Sequence, residues 1–142
     1  MGIKEQQIAE LALFRGCRPS EVSWIARVAD TLDIGAGSTL AREGSTVREF
    51  IVVVDGVAGG TNGDGQVLLG PGAYFGEMGL VDRRPHAMAI ESLTDMRLLV
   101  FEARVFSGLL EKLPGVGRKL MQELVTRLRE ADTSEIALQE VS

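Results

Sequence analysis

Histidine and cysteine are scarce in this sequence of 142 residues, which contains one of each, His86 and Cys17. A Ser–His–Asp triad needs an imidazole with partners, and a tightly bound catalytic zinc needs several histidine, cysteine or carboxylate ligands. A single cysteine cannot form an internal disulfide, which favours a reducing, cytoplasmic setting. The scarcity of both residues argues against an enzyme, and we expect no cofactor.

Long apolar runs and clustered basic residues are also lacking. No stretch approaches the ~20 apolar residues that cross a bilayer, and residues 1–10 lack the apolar core of an export signal. The net charge is −5, and Arg83-Arg84 is only a short basic pair. Binding to a phosphate backbone needs a clustered basic face. Neither a membrane nor nucleic acid is therefore expected as a direct partner.

Hydrophobic periodicity divides the chain, which we interpret as one domain of residues 1–142, into zones. Residues 1–30 show helical spacing, and Pro19-Ser20-Glu21 predicts a helix start with Ser20 as the N-cap. Residues 31–102 contain short strand-like runs. Residues 103–131 are helical again, and the tail 132–142 either frays or extends the last helix.

Glycines separate the predicted strands of the middle zone. Eight glycines lie from Gly56 to Gly76, and Asn62-Gly63-Asp64-Gly65 predicts a hairpin turn. Short strands with turns every ~8–12 residues are typical of antiparallel sandwiches and barrels. We therefore predict a mainly β fold with flanking helices, a compact antiparallel β-roll of the double-stranded β-helix or jelly-roll kind.

The last zone carries an apolar stripe that is wider than one small β-roll needs. Pro114 is expected to open the final helix, because its missing N–H costs nothing there. Glu123 and Arg127 form a favourable i, i+4 ion pair. Part of the stripe is expected to pack on the core and the rest to form a homodimer seam within residues 114–131. Within the stripe, every fourth residue is apolar, at Val116, Leu120, Leu124 and Leu128.

Two neighbouring segments carry the most specific pattern, Phe75-Gly76-Glu77-Met78-Gly79-Leu80 and Pro85-His86-Ala87. With the order of helices and glycine-punctuated strands, they resemble the cyclic nucleotide-binding domain. This is the module of catabolite-activator-type regulators, cyclic-AMP-dependent kinase regulatory subunits and cyclic-nucleotide-gated channels. The resemblance covers residues 8–131, and residues 75–80 resemble the phosphate-binding cassette of the family.

The resemblance implies a cyclic nucleotide as the ligand, cyclic AMP or a relative. Glu77 would accept a hydrogen bond from the ribose 2′-hydroxyl, and the N–H of Ala87 would donate to the phosphate. The implied ligand-binding residues are Gly76, Glu77, Met78, Gly79, His86 and Ala87. Possible contacts to the base from the last helix are Arg127, Ala131 and Asp132.

The sequence departs from the family pattern at His86, where Pro-Arg-Ala reads Pro85-His86-Ala87. A guanidinium is always charged and can form two parallel hydrogen bonds with phosphate oxygens. An imidazole is neutral when the pH is above its pKa of ~6.5. Loss of a charged hydrogen bond, ~1.5–3 kcal/mol, weakens binding about ten- to a hundredfold. Arg83 or Arg84 could reach in from the loop. If His86 itself contacts the phosphate, affinity should increase as the pH falls toward 6.

Two functions remain open from the sequence. The first is a stand-alone cyclic nucleotide sensor that binds its ligand weakly and signals to a protein effector. The second is a degenerate domain that has lost the ligand and serves in dimerisation or partner docking. A metal enzyme on a similar β-roll is disfavoured by the single histidine.

Overall fold

The computed structural model describes residues 2–63 and 65–141, with the backbone alone for residues 3 and 132–141. The helices are α1 Ile3–Glu10, α2 Pro19–Val28, α3 Glu77–Asp82, α4 Ala103–Lys112 and α5 Pro114–Val141, with a 3-10 turn at Ala12–Phe14. The strands are β1 Asp30–Ile34, β2 Thr39–Ala41, β3 Glu49–Asp55, β4 Ala58–Asn62, β5 Gly65–Leu69, β6 Tyr74–Phe75, β7 Ala89–Ser92 and β8 Met96–Glu102.

The strands form two four-stranded sheets, ordered β1-β8-β3-β6 and β2-β7-β4-β5. Every strand pair within them is antiparallel. The predicted hairpin is present, since β4 and β5 pair through Asn62 and Gly65; Asp64 of its turn lies outside the described residues. This antiparallel architecture with flanking helices confirms the predicted β-roll.

Strand β3 separates two apolar cores, because successive side chains of a strand point to opposite faces. Phe50 and Val52 belong to the core shared with the helices. Ile51 and Val53 belong to the core inside the roll. Its neighbour β8 alternates in the same way, and both strands are therefore apolar along nearly their whole length.

An aromatic cluster joins the helices to the sheet beside the cassette. The Phe50 ring is 4.8 Å from the Phe106 ring and 5.7 Å from each of the Phe101 and Tyr74 rings, centroid to centroid. Tyr74 begins β6, the short strand that leads into α3. The cassette therefore follows directly from a well-packed part of the core.

The start of α2 differs from the prediction. Arg18 occupies the N-cap position and Pro19 the first helical position, so the assignment of Ser20 as N-cap is wrong. The fixed φ of proline suits the first turn. The Glu21 carboxylate accepts a hydrogen bond from the Arg18 N–H at 2.7 Å, and the helix start is thereby stabilised without a serine cap.

The final helix begins at Pro114, as predicted, and its backbone continues to Val141. Val116 is buried and Leu120 packs against the helical core. Four further apolar side chains of this helix are exposed, by 37–66% of their surface. They are Met121, Leu124, Val125 and Leu128. The apolar stripe is thus divided between a core face and an open face.

Candidate functional site

Gly76 connects β6 to α3 through a conformation that suits glycine. Its φ is +98°, and a Cβ at this position would overlap the carbonyl oxygen of Glu49. Any larger residue would clash with the backbone of β3. The close approach holds the start of α3 against the first residues of β3.

Glu77 is the first residue of α3, and its side chain is partly buried. Its Oε2 atom is buried and has no hydrogen-bond partner among the described residues. Burial raises the pKa of this carboxyl, while its own backbone N–H and the charge of Arg127 act in the opposite direction. A buried acceptor without a donor is unusual in a folded protein, and this oxygen is therefore suited to accept a hydrogen bond from a bound molecule.

The loop between β2 and β3, residues 42–48, packs against the other end of the cassette. A Cβ on Gly79 would overlap the side chain of Val47 and would lie 2.7 Å from the carbonyl oxygen of Arg84. Gly79 therefore permits close contact of α3 with this loop and with the segment that follows α3. Sequence reasoning missed the loop because these contacts join residues far apart in the chain.

His86 is tied to the same loop through its backbone. Its N–H donates to the carbonyl oxygen of Ser45, and its carbonyl oxygen accepts from the N–H of Gly44, both at 2.9 Å. Burial lowers the pKa of the partly buried imidazole. The ring is therefore neutral at pH 7 and offers one donor.

A cavity of about 280 Å³ opens beside His86. Its size is close to the lower end of the ~300–1,000 Å³ range of ligand pockets. Strands β2 and β3 and the loop between them supply the rest of the wall. The lining residues are Thr39, Leu40, Ala41, Arg42, Ser45, Thr46, Arg48, Glu49, Ile51 and His86.

The cavity adjoins the cassette without including it. Of the predicted ligand-binding residues, His86 alone lines the cavity wall. Glu49 is also a lining residue, and its backbone lies against Gly76. Glu49 therefore places the cavity wall next to Gly76, the residue that precedes α3.

The other residues near the cassette are more open to solvent. Met78 and Ala87 are exposed. Arg83 and Arg84 are also exposed, and the Arg84 guanidinium lies 3.8 Å from the Asp82 carboxylate. Neither arginine lines the cavity beside His86.

Helix α5 contacts the strand that precedes the cassette through Tyr74. The Tyr74 hydroxyl donates a hydrogen bond to Glu123, and the Arg127 guanidinium pairs with the same carboxylate at 2.8 Å. This confirms the predicted Glu123–Arg127 pair. Burial, followed by the Glu123 carboxylate, raises the pKa of Tyr74. The role of Tyr74 was missed, although it is the only tyrosine and immediately precedes the cassette.

Of the possible base contacts, Arg127 alone has described contacts near the cassette. Its guanidinium lies 6.0 Å from the centre of the Tyr74 ring. Ala131 is exposed. The side chain of Asp132 lies outside the described residues.

Metal-ligating clusters are absent from the part of the chain that the structure describes. No group of three or more histidine, cysteine, aspartate or glutamate side chains there could hold a metal ion. Among the same residues, no helix combines the length and apolar character needed to span a bilayer.

The family model of the cyclic nucleotide-binding domain matches residues 31–113. This range contains both the cassette and His86. The chain therefore belongs to the cyclic nucleotide-binding domain family.

Curated relatives are similar over most of this chain. A cAMP-dependent protein kinase regulatory subunit from Colletotrichum orbiculare is 27% identical over 136 residues, which cover 93% of this chain and 35% of the relative. A cyclic AMP receptor protein from Thermus thermophilus is 31% identical over 126 residues, covering 84% and 58%. This chain thus spans about a third to three fifths of these relatives.

A solved structure gives the same result for the fold. The crystal structure of Thermus thermophilus catabolite activator protein superposes with a TM-score of 0.79 at 28% identity. The match covers 89% of this chain and 62% of the other.

Proposed function

We propose that this chain is a regulatory domain that binds cyclic AMP or a related cyclic nucleotide. The buried, unpartnered Oε2 of Glu77 carries the proposal, because a ribose hydroxyl would supply a donor to this acceptor. The family membership and the names of the relatives support the ligand class. Gly76, Met78, Gly79, His86 and Ala87 complete the proposed site.

The proposed role is regulatory rather than catalytic. The two curated relatives described above are named as a regulatory subunit and a receptor protein. We propose a single domain, in which helices of residues 1–30 and 103–131 flank the roll of residues 31–102. A cytoplasmic location and a protein effector complete this proposal, and the net charge of −5 argues against direct contact with nucleic acid.

Binding is proposed to be weakened at position 86. A neutral imidazole replaces a fixed positive charge there, and the loss of one charged hydrogen bond corresponds to about a ten- to hundredfold lower affinity. The exposed apolar face of α5 supports the second part of the proposal, a homodimer through residues 114–131.

Thermal unfolding with cyclic AMP and cyclic GMP tests the proposal. A ligand that binds only the native state stabilises it, by about 2.7 kcal/mol at a hundred times its Kd. We expect a concentration-dependent rise in Tm with at least one of the two nucleotides. The variant His86→Arg is expected to bind more tightly if the rest of the site is intact.

A degenerate docking domain is the second candidate. The neutral His86 and the exposed face of α5 favour it. It requires that neither nucleotide changes the Tm of the wild type or of His86→Arg. That pair of results would overturn the sensor proposal.

A further inference from the structure

The β2–β3 loop, residues 42–48, brings two arginines to the wall of the cavity that His86 lines. Arg42 and Arg48 are both lining residues. Within the described residues, neither guanidinium forms an ion pair or a side-chain hydrogen bond. Their charges are thus available to an anion in the cavity.

Backbone contacts fix this loop to both halves of the cassette region. Gly44 and Ser45 exchange hydrogen bonds with the backbone of His86 at 2.9 Å. At the other end, the carbonyl oxygen of Glu49 lies against Gly76, so closely that a Cβ there would overlap it. The arginines therefore stand on a segment whose position is set by the cassette itself.

The charge balance of the cavity favours an anion. Its lining contains two arginines, the neutral imidazole of His86 and one carboxylate, Glu49. Ser45 and Thr46 add hydroxyl groups to the same wall. A guanidinium can form two parallel hydrogen bonds with phosphate oxygens, which a neutral imidazole cannot.

We propose that Arg42 and Arg48 supply the positive charge that holds the phosphodiester of the ligand, in place of a cation at position 86. This inference rests on the proposed function, because it assigns residues to the anionic part of the same ligand. It makes the β2–β3 loop part of the binding site and accounts for a histidine at position 86 in a domain that still binds its ligand.

Calorimetric titration of cyclic AMP into the wild type, Arg42→Gln, Arg48→Gln and the double variant tests the inference. We expect each single variant to weaken binding about tenfold and the double variant by about a hundredfold or more. Arg83→Gln is the matched control, since it removes the same charge from an exposed arginine outside the cavity, and we expect less than about a twofold change there. Circular dichroism checks that each variant is folded.

A second comparison asks whether position 86 and the loop arginines serve the same phosphate. His86→Arg should improve affinity more in the double variant than in the wild type, because a new guanidinium replaces what was lost there. Equal improvement in the two backgrounds would contradict a shared phosphate.

Glu49→Gln should tighten binding, because it removes the one carboxylate of the cavity wall. Weaker binding in this variant would count against an anion in the cavity.

The outcomes separate this inference from the proposed function. Wild-type affinity in Arg42→Gln, Arg48→Gln and the double variant would overturn the inference and leave the sensor proposal standing. Absence of saturable binding of cyclic AMP and cyclic GMP to the wild type and to His86→Arg would overturn both.

Discussion

Glu77 holds a carboxylate oxygen in a buried position without a hydrogen-bond partner among the described residues, and burial raises its pKa. A group whose folded pKa is raised contributes most to stability when it is protonated. That contribution is lost as the pH rises through the folded pKa. When it is ionised, this side chain therefore destabilises the ligand-free domain, and the same side chain is the proposed acceptor for the ligand.

Replacement Glu77→Gln is expected to stabilise the free protein while weakening binding. Removing the buried charge should add about 1 kcal/mol at pH 7, or about 3–5 °C in Tm. The gain should be smaller at pH 5, where more of the wild-type carboxyl is protonated. Scanning calorimetry at both pH values measures the difference, and calorimetric titration should show about tenfold weaker binding of cyclic AMP.

Glu111→Gln provides a matched control, because it neutralises an exposed carboxylate on α4. An equal gain in this variant, or a gain for Glu77→Gln that is larger at pH 5, would contradict the assignment of the effect to the buried carboxylate.

His86 is expected to contribute little pH dependence to binding. Burial already lowers the pKa of its imidazole, and Arg42 and Arg48 line the same cavity with fixed positive charge. If these arginines hold the phosphate, the affinity for cyclic AMP should change less than about twofold between pH 8 and pH 6. Calorimetric titration of cyclic AMP at the two pH values measures this change in affinity.

The variant His86→Gln identifies the source of any change. An increase in affinity of about tenfold at pH 6 that disappears in this variant would show that the ligand draws a proton onto His86. That result would assign the phosphate contact to the histidine.

At the level of elements, the sequence predicts the order of helices and strands along the chain, but it does not predict the contacts between them. Pro114 and the glycines of residues 56–76 predict a helix start and tight turns through local backbone preferences. The placement of Ser20 failed because the helix begins at Pro19, which puts the N-cap at Arg18, two residues before Ser20. The contact of the β2–β3 loop with Gly79 and the Tyr74–Glu123 hydrogen bond join distant residues, which no local pattern specifies.

The Tyr74–Glu123 hydrogen bond is expected to hold α5 against the strand that leads into the cassette. Tyr74→Phe removes the hydroxyl and keeps the ring that packs on Phe50. We expect a loss of about 0.5–1.5 kcal/mol in stability and faster amide hydrogen exchange in residues 119–131. Hydrogen-exchange mass spectrometry measures the second effect. Unchanged exchange in this helix would contradict a linking role for the hydroxyl.

For the molecule as a whole, α5 is the element with two different faces. Val116 and Leu120 pack on the helical core, while Glu123 and Arg127 contact Tyr74. The exposed apolar side chains lie on another face, at the three- and four-residue spacing of a helix–helix seam. They are Met121, Leu124, Val125 and Leu128. A second copy of the chain seated on this face would leave the contacts with Tyr74 intact.

The variant Leu124→Glu/Leu128→Glu is therefore expected to convert a dimer into a monomer. Burial of a leucine contributes about 1.5–3 kcal/mol, and a charge in the seam would oppose association. Light scattering after size exclusion should give twice the 15.3 kDa chain mass for the wild type and the single mass for the variant. Gln122→Glu/Thr126→Glu, which places two charges on the same helix outside the stripe, should remain dimeric. A wild type that stays monomeric at its highest soluble concentration would contradict the proposed dimer, because burial of the exposed leucines would then not stabilise association.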